Sequence, residues 1–330
     1  MDNRQRHYPF QLTRLHKPLA WYTAAMVITA LVAAVGLLVD DRLITGAPAW
    51  AKPLKFSLSF IFYGGTLAIL LPMVRKAPRF VWWVGTVIVA ASTIEMVAIV
   101  GQVIRGHASH FNNTTPLDAL VFQIMGATVV VLWTATLVAS IMLWRQPIGD
   151  RALTWSLRLG SVISLVGMAL AGLMLGPKPG QIADGAKMIG AHTVNAADGG
   201  PGLPILGWSS VHGDLRIPHF VGMHGLQILP VLALVLAWWA GRRSGRLADE
   251  ATRTRLIGVA AFAYAGLTAL VTWQALDDEP LLRPGAATVG GLAVLVAIVA
   301  GALVTVLRKG SRVPDAPSAA REQEEPARAS

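Results

Sequence analysis

The chain contains no cysteine. That excludes disulfides, thiolate zinc centres, iron–sulfur clusters and covalently attached c-type haem, and leaves histidine as the principal soft ligand. Charge is scarce as well, with Asp, Glu, Lys and Arg making up 14% of the 330 residues against 54% hydrophobic. A soluble domain carries about 25% charged residues, so water is not the main solvent of this chain.

The sequence is rich instead in long apolar runs. Eight of them, at 19–39, 54–74, 80–104, 118–144, 153–175, 217–240, 256–276 and 285–307, are helix-length and dominated by Leu, Val and Ala. Each is long enough to cross a hydrocarbon core of about 30 Å. The fold class is therefore all-α, a polytopic helical integral membrane protein with about eight transmembrane helices. The first run follows Arg4, Arg6, Arg14 and Lys17 and so imitates a signal peptide. Its apolar core exceeds a typical h-region and no A-x-A site closes it, so it counts as a span. The organisation expected is a basic N-terminal segment at 1–18, a transmembrane domain at 19–307 and a tail at 308–330. That tail is rich in Pro, Ser, Ala and charge and is expected to be disordered.

Charge sets the orientation. Of the 28 Lys and Arg, nineteen lie in the N-terminal segment, the 75–79, 145–151 and 242–255 connections and the tail, whereas eight lie on the alternate connections and their edges. By the positive-inside rule the nineteen are cytoplasmic, so both termini are inside and the 176–215 connection is extracytoplasmic. Cytoplasmic cations against lipid account for the net charge of +10 without nucleic acid. The expected location is a bacterial inner (plasma) membrane, with the protein multi-pass.

Six of the eight histidines fall on the side opposite the basic one. His107 and His110 follow the third run in RGHASHFNNTTP, His192 and His212 lie in the 176–215 connection, and His219 and His224 open the sixth run in RIPHFVGMHGLQ. His107 and His110 share a face if the third helix continues to residue 111. His219 and His224 are about 140° apart on a helix, so they point into one interior only if the first turn unwinds. His224 shares a face with Gln227 and lies roughly 8–10 Å below the surface at 1.5 Å per residue. Glu95 sits near the bilayer middle on a stripe with Gln102, and Arg105 stands just above. A buried carboxylate costs several kcal/mol unless protonated or paired, which makes Glu95 a functional candidate, the plainer alternative being a protonated Glu hydrogen-bonded to Gln227 or a backbone carbonyl. Lys55 opens the second run at the same face; it is either a snorkelling lysine or a counter-charge to Glu95 or an anionic ligand. The 176–215 connection has nine glycines yet is too apolar for simple disorder, so it is expected to fold back as a cap, with a short helix in QIADGAKMIGAH.

Eight spans with histidines gathered at one face are similar in outline to the haem A synthases and other membrane b-type haem proteins. Three histidines with an acid and a serine at one face are equally the outline of the alkaline ceramidases, which are zinc hydrolases. Neither likeness rests on a motif matched residue by residue. The leading expectation is a histidine-rich site for haem b or copper in an oxidoreductase, with His107, His110, His219 and His224 as ligands and Gln102 and Gln227 beside the cofactor. One alternative is a proton-coupled transporter in which Glu95 carries the proton and Lys55 and Arg105 bind an anion. The other is a zinc-dependent lipid hydrolase in which three of the four histidines hold the metal and Glu95 or Asp118 is the general base. In each case the partners are the lipid bilayer and a small or lipid-soluble substrate.

The charge asymmetry generates a direct test. Topology reporters fused at Ala248 and Gly200 are expected to report opposite sides of the membrane, Ala248 inside; the same side for both would overturn the orientation.

Overall fold

The computed structural model describes residues 15–309 apart from 179, 205, 243 and 244. Most of the basic N-terminal segment and of the tail expected to be disordered therefore lies outside the described residues. The chain runs α1 (Lys17–Val39), a two-stranded hairpin of β1 (Leu43–Ile44) and β2 (Ala47–Pro48), α2 (Ala51–Leu70), α3 (Pro78–Arg105), α4 (Pro116–Trp144) and α5 (Arg151–Ala169). A long connection then leads to α6 (Arg216–Met223), α7 (Gly225–Arg242), α8 (Glu250–Leu276) and α9 (Ala286–Lys309). Among the described residues eight helices are long and apolar enough to span a membrane, α6 being the exception. The all-α polytopic architecture follows from the apolar runs, because only a helix satisfies its backbone groups internally in hydrocarbon.

Polar residues start the helices where the sequence supplies them. The His16 ring accepts from the Leu19 amide, Thr115 accepts from the Asp118 amide, and Asp150 and Asp249 cap α5 and α8 in the same way. Each such cap contributes about 1 kcal/mol. In the packed bundle α1 lies along α2 and α3 along α4, while α5 collects α6, α7 and α8, and α9 stands outside against α8. The main core brings Leu19, Tyr22, Leu67, Ile88 and Ile99 of α1–α3 together with Met125 of α4, Leu157 of α5 and Leu226 of α7.

The sixth apolar run departs from expectation. It is two helices broken at His224, whose backbone (φ −85°, ψ 2°) leaves the helical path. The carbonyls freed by the break find side-chain donors, Tyr264 Oη to Val221 O at 2.5 Å and Ser164 Oγ to Met223 O at 2.7 Å. Close backbone approach makes this possible. A Cβ on Gly167 would stand 2.2 Å from the Met223 amide nitrogen, and one on Gly160 would stand 2.6 Å from Gly225 O. Small residues of this kind let helix backbones meet in a membrane.

The 176–215 connection folds back as a cap on one face, termed here the capped face; the opposite one is the basic face. Backbone hydrogen bonds anchor it, Asn113 N to Lys187 O at 2.7 Å, Ile189 N to Phe111 O at 2.9 Å and Ala191 N to Met174 O at 3.2 Å. Phe111, Met174, Leu215 and Ala275 form a small core beneath it. The short helix expected in QIADGAKMIGAH is absent. Turns occupy 180–185, and the Gln181 side chain, accepting from the Lys178 and Gly190 amides, closes a compact loop instead.

Because backbone blocks the Gly167 position, Gly167→Ala is expected to destabilise by about 3 kcal/mol, the upper end for overpacking. Gly101→Ala meets no atom within 4 Å and is expected to be neutral. Thermal unfolding of both variants in detergent checks the pair, and equal midpoints would refute the close-packing argument.

Candidate functional site

The capped end of α3 is organised around one carboxylate. Gly106, at φ 74°, ends the helix one residue after Arg105, so the third helix does not continue to residue 111 and His107 and His110 do not share a helical face. The chain instead turns back over Asp118 at the start of α4. Asp118 is 0% exposed. Its Oδ1 accepts from Gln102 Nε2 and Arg105 Nη1, both at 2.9 Å, and its Oδ2 meets His107 Nδ1 at 3.0 Å and Thr115 Oγ1 at 2.8 Å. Arg105 also donates to Gln102 Oε1. Three sequence candidates, Gln102, Arg105 and His107, are thus spent on a clamp joining α3 to α4.

Beside the clamp lies a cationic cluster under the cap. The Lys55 ammonium donates to Leu206 O of the cap at 2.9 Å, and Arg216 donates to Gly207 O at 2.6 Å while pairing with Asp214 at 2.5 Å. These cations pin the cap and leave Lys55 little freedom to serve Glu95. Lys52 differs. Its Nζ stands 6.0 Å from the Phe56 ring and has no hydrogen-bond or ion-pair partner among the described residues, although the charges of Asp198, Arg216, Lys55 and Glu95 all act on it. The sequence offered Lys52 only as one charge among many; its signal is an ammonium placed in the first turn of an apolar run.

His110 packs edge-on against Phe56 at 5.8 Å and against Phe111 at 6.1 Å. Burial, reinforced by the charges of Lys52 and His192, pushes its pKa well below the ordinary histidine value. His192 lies 5.0 Å from the Phe111 ring and meets Asp198 through Nδ1 at 2.5 Å. Burial lowers its pKa too, outweighing the carboxylate beside it. Burial alone would raise Asp198, yet the hydrogen bond and charge of His192 hold its carboxyl down, to about 2.

The remaining candidates lie elsewhere. His219 Nδ1 contacts Gly167 O of α5 at 2.8 Å. The His224 ring faces Phe62 of α2 at 6.4 Å, and Gln227 Oε1 is buried without a partner. His107, His110, His219 and His224 thus make their closest contacts with different groups, although the charge of His192 reaches both His110 and His219 and that of His224 reaches His219. Among the described residues no three His, Asp or Glu side chains come together to hold a metal ion.

Glu95 is in the bundle interior at 1% exposure. Its Oε1 meets Thr128 Oγ1 of α4 at 2.5 Å, and its Oε2 has no partner. The same Thr128 oxygen lies 3.1 Å from Ile124 O and 3.0 Å from Met125 O. A hydroxyl has one proton to donate. The Thr128 hydroxyl that donates to Glu95 Oε1 therefore cannot at the same time fully serve the carbonyls of its own helix. Thr128, Tyr22 and Ser92 were not singled out by sequence reasoning, since each is one polar residue in an apolar run.

No protein-family model, no curated protein and no solved structure matches this chain.

The buried histidines predict a pH dependence with a definite sign. His110 and His192 bind protons less readily folded than unfolded, so their contribution is fully present above about pH 6.5 and is lost as pH falls below it. Asp198 is held low, so its own contribution disappears only below the unfolded carboxyl value of 3.8. Thermal midpoints are expected to fall between pH 7.5 and 5.5, and His110→Gln is expected to flatten that slope by up to about 1.4 kcal/mol per pH unit. An unchanged slope would show that His110 is not held neutral.

Proposed function

We propose that the protein is a proton-coupled membrane carrier for a small acidic solute, with Glu95 as its proton site and Lys52 as the cation that meets the solute. The observation that carries this reading is Glu95, buried amid apolar helices, bonded to a single hydroxyl and left with an unpartnered oxygen. Ionisable groups at such depth mark ion or proton pathways.

The electrostatics supply a coupling mechanism. Glu95 and Lys52 feel one another's charge. With Glu95 protonated, Lys52 loses that counter-charge and attracts an anion more strongly. With Glu95 ionised, the carboxylate competes with the anion. Proton and anion thereby favour each other's binding, and linkage makes the effect reciprocal. The cap, pinned by Lys55 and Arg216, covers the approach to Lys52 and would move as solute enters. The basic distribution of the opposite face supports a cap on the extracytoplasmic side of the membrane.

Haem, copper and zinc chemistry has no comparable support. His107 is committed to the Asp118 clamp and no three His, Asp or Glu side chains gather among the described residues, so no step is routed through a metal.

The test uses the full chain in proteoliposomes under an imposed pH gradient, with lactate and succinate as probes and a trapped pH dye as readout. Solute-dependent proton entry is expected, and Glu95→Gln is expected to reduce it by at least about tenfold, as for removal of a proton-transfer group, while the protein still folds. Lys52→Gln is expected to raise the half-saturating solute concentration. PH-driven flux at the wild-type level in Glu95→Gln would overturn the reading.

A further inference from the structure

Most hydroxyls within these spans are satisfied by a protein partner. Thr23, Thr66, Thr86, Thr93, Thr134, Thr136 and Ser140 each donate to the carbonyl four residues earlier, at 2.7 to 2.9 Å. This is the ordinary way a hydroxyl is satisfied in lipid. Tyr22 of α1, Ser57 of α2 and Ser92 of α3 do not follow it, because their oxygens are buried and without any partner, like Glu95 Oε2. Burying an unpartnered hydroxyl costs about 1–3 kcal/mol, so four such atoms in one part of the bundle imply a partner that is not a protein atom.

They are also arranged in depth. The Tyr22 and Ser92 hydroxyls approach and interact with each other, but too loosely to use up the bonding capacity of either, and the Glu95 charge reaches Tyr22. Gly64 of α2 stands at the same level, since a Cβ there would lie 3.6 Å from the Tyr22 ring. Counted from that level at 1.5 Å per residue, Glu95 is about 4–5 Å and Ser57 about 10 Å nearer the capped face. Lys52 follows about 7–8 Å beyond Ser57 on the same helix. The order from the capped face is Lys52, Ser57, Glu95, Ser92, Tyr22.

We infer that this seam between α1, α2 and α3 binds ordered water, and that the water links Glu95 through Ser92 and Tyr22 toward the basic face as a proton path. The inference deepens the carrier reading and rests on Glu95 being its proton site. The ligand is water rather than a larger polar molecule because the unpartnered atoms belong to residues at most 6% exposed, and a buried water typically makes about three hydrogen bonds to groups of this kind. Transfer along the path forms and breaks only O–H bonds. The Glu95 proton passes to a water, that water passes one of its own onward, each water and hydroxyl oxygen along the path ends with the number it began with, and Glu95 is left as the carboxylate. The reverse passage reprotonates Glu95.

Two tyrosines make the experiment internally controlled. Tyr22 and Tyr63 are both 6% exposed, but Tyr63 Oη is bonded to Thr136 Oγ1 at 2.5 Å whereas Tyr22 Oη has no partner. X-ray radiolysis converts bound water to hydroxyl radicals that label the side chains beside it, and mass spectrometry locates the label. In full-length protein, Tyr22 is expected to label at least about five times faster than Tyr63, because only Tyr22 has water to satisfy it. Ser92→Ala is expected to lower the Tyr22 rate, and Tyr22→Phe to slow proton entry severalfold without changing the half-saturating solute concentration. Equal, slow labelling of the two tyrosines would overturn the hydrated seam even if Glu95-dependent flux persists. Fast Tyr22 labelling in a protein without proton-coupled flux would keep the seam and remove the carrier reading.

Discussion

Hydrocarbon offers no hydrogen bonds, and the structure is governed by where its polar groups find them. Most backbone groups are satisfied within helices, and most Ser and Thr hydroxyls return to the preceding turn. The broken sixth run obeys the same rule at a distance. The backbone leaves the helix at His224, and Tyr264 and Ser164 come from neighbouring helices to take the carbonyls that the break exposes. Glycines on α5 and at the break bring those helices close enough for this to work. Against such thorough pairing, the unpartnered oxygens of Glu95, Ser92, Tyr22 and Ser57 stand out.

Electrostatics at the capped face divide in a similar way. Asp118 draws Gln102, Arg105, His107 and Thr115 onto one buried carboxylate, and removing a partner from such a network would leave charge uncompensated. Arg216 with Asp214 and Lys55 with Leu206 fasten the cap. These groups are structural because their bonding capacity is used. Lys52 retains its capacity among the described residues and sits within the field of both Glu95 and the cap. What sets Lys52 apart from Lys55 and Arg216 is that its donors are unoccupied among the described residues, not how deep it lies.

The sequence by itself determined the helical class, the spans and the uneven distribution of charge, because length, hydropathy and cation placement are properties of consecutive residues. It also marked Glu95, since a carboxylate in the middle of an apolar run is conspicuous without any structure. What it could not contain is which distant residues meet. The spacing of His107 and His110 assumed a helix that Gly106 ends, and Lys55 and Arg105 looked available as anion ligands until the cap and Asp118 were seen to occupy them. Lys52 and Tyr22 were inconspicuous as letters. What distinguishes them is unused hydrogen-bonding capacity, which is defined only when every neighbour is in place. Tertiary packing therefore decided the site, because bonding capacity is consumed by contacts between helices far apart in sequence, which no local pattern records.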